Sequence, residues 1–129
     1  MTRIGLFGTC NDSQWRETLK PLLTIDYFDP VVSDWNAEAQ EREIYERATC
    51  DWILYTITPK MVGVYSIAEV VDDSNKRPER TIFCLLRDDD GVSFDEAQWK
   101  SLQAVKRMVL SNTAIVTEHL AHVARFVNT

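Results

Sequence analysis

Trp52-Ile53-Leu54-Tyr55-Thr56-Ile57-Thr58-Pro59 decides the fold. Its first six residues are apolar or β-branched, with none of the polar alternation that marks a strand with one wet face. Such a run suits a central strand of a parallel sheet, covered on both sides. Thr58-Pro59 halts it, because proline fixes φ and removes a ladder donor. Downstream, Tyr65 to Lys76 reads as a helix closed by Arg77-Pro78, and Thr81 to Leu86 is the next apolar strand. Strand, helix and strand in that order form one crossover unit.

The same alternation extends outward in both directions. Upstream, Asn36 to Thr49 is rich in Glu, Ala, Gln and Arg, good helix formers, with Ile44 and Ala48 on one face. Arg3 to Gly8 is a short buried strand stopped by a polar loop to Ser13. Asp12 or Ser13 can then cap a helix running through Leu23, on which Trp15, Leu19, Leu22 and Leu23 share a face and Pro21 weakens the end. Ile25 to Phe28 is a second strand, ended by Asp29-Pro30. Beyond Leu86, Arg87 to Gly91 reads as an acidic turn. A long helix over Phe94 to Leu110 follows, with Ala97, Leu102, Val105 and Val109 near one stripe. Ala114-Ile115-Val116 is a last short strand, and a terminal helix from Thr117 carries Leu120, Val123 and Phe126. Strands alternating with helices imply right-handed crossovers and a sheet covered on both faces. The expectation is a single α/β domain over residues 1–129, a three-layer flavodoxin-like arrangement with a mostly parallel five-stranded sheet. In such sheets ligands sit beyond the carboxyl ends of the strands. Three loops then compete for the site: Gly8 to Ser13, Phe28 to Trp35 and Thr58 to Glu69.

Composition narrows the function classes. A chain of 129 residues with 45% hydrophobic content supports one core. Its net charge of -6, from 14 Lys and Arg against 20 Asp and Glu, would repel a nucleic-acid duplex but suits a small molecule. The apolar part of the N-terminus is too short for a secretory h-region and nothing approaches a membrane span, so a cytoplasmic protein without membrane contact is expected. The three cysteines, Cys10, Cys50 and Cys84, have no metal-ligand spacing and are odd in number, which argues against a disulfide framework. Cys50 and Cys84 read as core thiols. No metal and no cofactor is called for.

Several residues could carry chemistry. Gly8, Thr9, Asn11 and Asp12 lie between a strand and a helix N-terminus, where free N–H groups favour an anion. They form a candidate cradle for a sugar or one phosphate, and equally an ordinary turn with a cap. The loop has neither the dinucleotide fingerprint nor the Walker A lysine. Glu69 lies one turn inside a helix that starts at the carboxyl edge of the sheet, beneath Tyr65 and Ser66 at helical spacing. That places a carboxylate towards the cleft, although a lone helical Glu is commonly just solvated. Asp72 and Asp73, one turn on, read as exposed charge. Glu43 and Arg47 are spaced for a surface salt bridge. Trp35, Tyr45 and Trp52 could wall a base-binding pocket, with Trp52 better placed for the core. His119 and His122 read as structural.

The order and spacing of four motifs resemble the nucleoside 2-deoxyribosyltransferases and the related nucleotide N-glycosidases, above all their small deoxyribosyltransferase-like branch. The carrying residues are Gly5-Leu6-Phe7-Gly8-Thr9-Cys10-Asn11-Asp12-Ser13-x-Trp15-Arg16, Tyr27-Phe28-Asp29-Pro30-Val31-Val32, Cys50-Asp51 and Gly63-x-Tyr65-Ser66-Ile67-Ala68-Glu69. The match spans most of residues 3 to 86. It implies Glu69 as the nucleophile at an anomeric carbon, Glu43 as the acid near the base, and Tyr65 and Ser66 as holders of a sugar 5′-hydroxyl or 5′-phosphate. It also implies a homo-oligomer, most simply a two-fold dimer whose subunits complete each other's cleft. Aromatics such as Trp35, Tyr65 or Trp99 could anchor such a contact, and equally could finish the monomer's own core. Gly63 departs from the pattern, standing where the better-studied transferases carry an acid that grips the sugar. The segment Asp72 to Arg80 is longer than their usual link to the next strand.

The resulting expectation is cleavage or transfer at the N-glycosidic bond of a deoxynucleoside or its monophosphate. A glycohydrolase of NAD-type dinucleotides is the second enzyme reading. A nucleotide-binding module on the same fold, without chemistry, is the third.

Overall fold

The computed structural model describes residues 2–10 and 12–129. The strands are β1 (Arg3–Gly8), β2 (Asp26–Phe28), β3 (Trp52–Ile57), β4 (Thr81–Leu85), β5 (Asp88–Asp89), β6 (Val92–Ser93) and β7 (Ile115–Thr117). Five of them form one parallel sheet in the order β2-β1-β3-β4-β7. The helices are α1 (Trp15–Leu19), α2 (Ala37–Thr49), α3 (Tyr65–Lys76), α4 (Glu96–Ser111) and α5 (Leu120–Val127). They flank both faces, giving the flavodoxin-like three-layer α/β fold. Among the described residues no helix is long and apolar enough to cross a membrane.

The strands are apolar on both faces because each face has its own core. Ile53, Tyr55, Ile57, Phe83 and Leu85 point to one side, where Val70 of α3 and Leu102 and Val109 of α4 cover them. Ile4, Leu6, Leu54, Ile82 and Cys84 point to the other, against Trp15 and Leu19 of α1 and Val123, Ala124 and Val127 of α5. The period-two alternation of β3 thus feeds both layers at once. Cys50 and Cys84 are buried thiols, and burial raises both to a pKa of about 12.

Several local expectations change. The first helix stops at Leu19 and continues only as a 3-10 turn over Lys20–Leu22, with Pro21 inside it, so Leu22 is exposed rather than on the buried face. Its N-cap is Gln14 without a side-chain cap, and Ser13 Oγ accepts only a long bond, 3.4 Å, from Trp15 N. Ile44 and Ala48 of α2 face solvent, Ala97 of α4 is exposed, and Phe126 lies outside the α5 core, edge-on to Trp52. The acidic turn is the tip of a two-stranded antiparallel hairpin formed by β5 and β6. Asp90 and Gly91 both have positive φ, 51° and 81°, the backbone that a two-residue hairpin turn with right-handed twist requires.

Candidate active site

In the order β2-β1-β3-β4-β7 the chain leaves β1 towards one neighbour and β3 towards the other, so the loops after β1 and β3 diverge and open a crevice at their carboxyl ends. Gly8 sets its floor. Its φ is +119°, and a Cβ there would lie 2.1 Å from Thr56 O, so only glycine lets β1 end this close to β3. Thr9 N then donates to Thr56 O at 2.9 Å, and Thr9 Oγ1 accepts from Thr58 N at 3.0 Å, locking the two loops together. Arg16 supports the same loop from below. Its guanidinium is buried and donates to the carbonyls of Leu6 (2.9 Å) and Thr9 (2.6 Å), while Trp15 Nε1 also reaches Thr9 O at 2.7 Å.

The crevice has two lobes. The first, about 180 Å³, is lined by Gly8, Thr9, Tyr65, Ser66 and Glu69, with Cys10, Met61 and Gly63. The second, about 190 Å³, shares Gly8, Cys10, Ser66 and Glu69 and adds Glu43, Arg16 and an apolar wall of Pro30, Val31, Val32 and Trp35. Glu69 therefore stands at the junction. Lys60 bridges the margin, donating to Asp12 O (3.3 Å) and Asp90 (3.4 Å), and Ser13 Oγ donates to Asp89 at 2.5 Å. The hairpin thus braces both loops.

Electrostatics mark Glu69 further. It is 8% exposed, and its pKa is pushed up to about 7. Burial is the main cause; Arg47 opposes it, and the carboxylates of Glu43, Asp73 and Asp72 add to it. Glu43 is also raised, by burial first, against the pull of Arg47 and Arg16. The surface Glu43–Arg47 bridge is not formed. Arg47 instead lies 3.1 Å from Glu69 and 3.2 Å from Asp73, and Glu43 has no ion-pair partner among the described residues. Asp73 is not exposed charge either, for it is fully buried and accepts from Tyr55 at 2.5 Å. Asp72, by contrast, is exposed.

The expected site residues distribute unevenly. Gly8, Thr9, Tyr65, Ser66, Glu69 and Glu43 line the crevice; Asp12 sits at the margin and contributes its carbonyl to Lys60. Asn11 lies outside the described residues. Of the aromatics, Trp35 walls the second lobe. Tyr45 faces a different hollow beside Arg3 and Asp51, and Trp52 packs at the edge of the α5 core. In the sequence Cys10 and Arg16 stand only as motif positions, Arg47 and Asp73 read as surface charge, and Met61 and Tyr55 carry no site role. Among the described residues no group of three His, Cys, Asp or Glu side chains could hold a metal ion. No protein-family model, curated protein or solved structure matches the chain.

Proposed function

We propose that the protein breaks or transfers the N-glycosidic bond of a deoxynucleoside or its monophosphate, as the resemblance to deoxyribosyltransferases implies. The observation that carries this reading is the buried Glu69 at the junction of two lobes, one of small and polar groups and one with an apolar wall. A sugar suits the first lobe and a heterocyclic base suits the second, where Trp35, Val31 and Val32 offer apolar surface for its face. A Glu69 oxygen attacks the anomeric carbon and the C–N bond breaks, its electron pair passing to the base nitrogen. The Glu43 carboxyl, in the base lobe, supplies the proton to that nitrogen. Water then hydrolyses the glycosyl ester, or a second base displaces it and gives transfer.

The rim of the mouth supports a second copy as the closing partner. Val31, Val32, Trp35 and Tyr65, which line the two lobes, are exposed, as are Val62 and Val64 beside Tyr65, and such apolar side chains suit a protein contact. A two-fold dimer would cover them from both sides.

The test is incubation with a panel of deoxynucleosides, their monophosphates and NAD, with released bases separated by chromatography. Base release by the wild type, abolished in a folded Glu69→Gln, is expected, because an amide cannot form the glycosyl ester. Equal turnover in the two proteins removes Glu69 as nucleophile, and release from NAD alone moves the assignment to a dinucleotide glycohydrolase.

A further inference from the structure

We propose that Arg47 is the positioning residue of this site: its guanidinium spans the Glu69 carboxylate and the buried Asp73–Tyr55 pair, and so fixes Glu69 at the junction of the lobes and favours its charged form. The proposal rests on the reading of Glu69 as the nucleophile.

The geometry assigns each edge of the guanidinium a partner. Nη1 lies 3.1 Å from Glu69 Oε2, while Nη2 and Nε donate to Asp73 Oδ2 at 3.2 and 3.3 Å. Asp73 is in turn bonded through both oxygens. Its Oδ2 accepts from the Tyr55 hydroxyl of β3 at 2.5 Å and its Oδ1 from Arg77 at 3.1 Å. Arg77 also donates to the Arg47 carbonyl at 2.9 Å, which ties the backbone of α2 to α3. Arg47 is thus held on one side by a fully buried carboxylate and presents its other side to Glu69. A planar fork can serve two carboxylates in this way, whereas a lysine ammonium is a single point charge.

The surroundings explain why Glu69 needs such a partner. Facing it are Glu43 and Arg47 from α2, Asp72 and Asp73 from α3, and Tyr55 from β3. Arg47 is its only ion-pair partner among the described residues. Burial works against the Arg47 charge, but Tyr55, Asp73 and Glu69 outweigh it and hold its pKa above the ordinary value, so the guanidinium stays charged throughout. Without it, Glu69 would face only acids and a phenol, and burial would keep it protonated and unable to attack.

The test reads the Glu69 carboxyl directly, by carbon-detected NMR titration of wild type, Arg47→Met and Arg47→Lys without substrate. The titration midpoint is expected to rise by about one to three pH units in Arg47→Met, the usual effect of losing an opposite charge at this range, and by less in Arg47→Lys. Where base release is measured, the acid limb of kcat should move by the same amount while KM changes less than about twofold. An unchanged midpoint in a folded Arg47→Met overturns the proposal. If circular dichroism shows that variant to be unfolded, Arg47→Lys decides, with an upward shift of about half a unit expected and no shift overturning it. A moved midpoint in a protein that releases no base would uphold the role of Arg47 and remove the glycosidase reading instead.

Discussion

Glu69→Gln should make the protein more stable at pH 8 and leave it nearly unchanged at pH 4.5. The carboxyl is 8% exposed and ionises near pH 7 in the folded chain, against 4.5 for an unperturbed glutamate. Between those values the folded chain binds the proton that the unfolded chain has released, so stability falls as pH rises from about 4.5 to 7 and the loss is complete above 7. A carboxyl displaced that far costs the fold about 3 kcal/mol at pH 8, with the attraction of Arg47 already included. Against a total of about 5–15 kcal/mol this is a large term. Glutamine keeps the shape and removes the titration. Urea unfolding of both proteins at pH 4.5 and pH 8 checks it, with every other titrating group common to the two. Relative to pH 4.5, the variant should gain about 3 kcal/mol over wild type at pH 8, a midpoint difference of about 1–3 M urea for a protein of this size. Parallel pH dependence in the two proteins, or a wild type that gains on the variant as pH rises, would refute the reasoning.

Gly8→Ala should lower unfolding stability by about 3 kcal/mol or more, since the new Cβ would lie 2.1 Å from Thr56 O on a backbone with φ of +119°. Chemical denaturation measures it, and a loss below about 1 kcal/mol would show that β1 can move away from β3 without penalty. Light scattering at micromolar concentration should give at least twice the chain mass of 14.9 kDa. A monomer with base release intact would dismiss the shared cleft while leaving Glu69 in place.

The fold was legible because the apolar runs at Arg3 to Gly8, Trp52 to Ile57 and Thr81 to Leu85 are too short for helices, are stopped by Gly or Thr-Pro or an acidic turn, and are separated by helix-forming segments. The ends of elements were less legible. Pro21 tightened the first helix into a 3-10 turn, and the Asp90-Gly91 turn hid a hairpin inside four consecutive acidic and glycine positions. In the site, Gly8, Ser66 and Glu69 could be placed from their position after a strand or inside the first turns of a helix. Arg47 could not. Its i,i+4 spacing from Glu43 suggested a local pair, whereas tertiary packing turned it towards Glu69 and Asp73, residues 22 and 26 positions away. Asp73 shows the same limit, for a carboxylate reads as surface until Tyr55 and two arginines are seen around it.

The inward face of α2 carries Ala39, Glu43, Glu46 and Arg47, whereas Ile44 and Tyr45 are each 60% exposed. This helix is fastened to its neighbours by ion pairs, Glu46 with Arg3 and Arg47 with Asp73, and neither apolar core draws on it. The segment from Pro30 to Thr49, which walls the second lobe, is therefore mounted on the domain rather than built into it. Substitutions at Val31, Val32 or Trp35 reshape the pocket from positions already half in water, where replacements cost little stability. Selection can reshape the second lobe at these exposed positions, while the two cores that hold the chain together are left untouched.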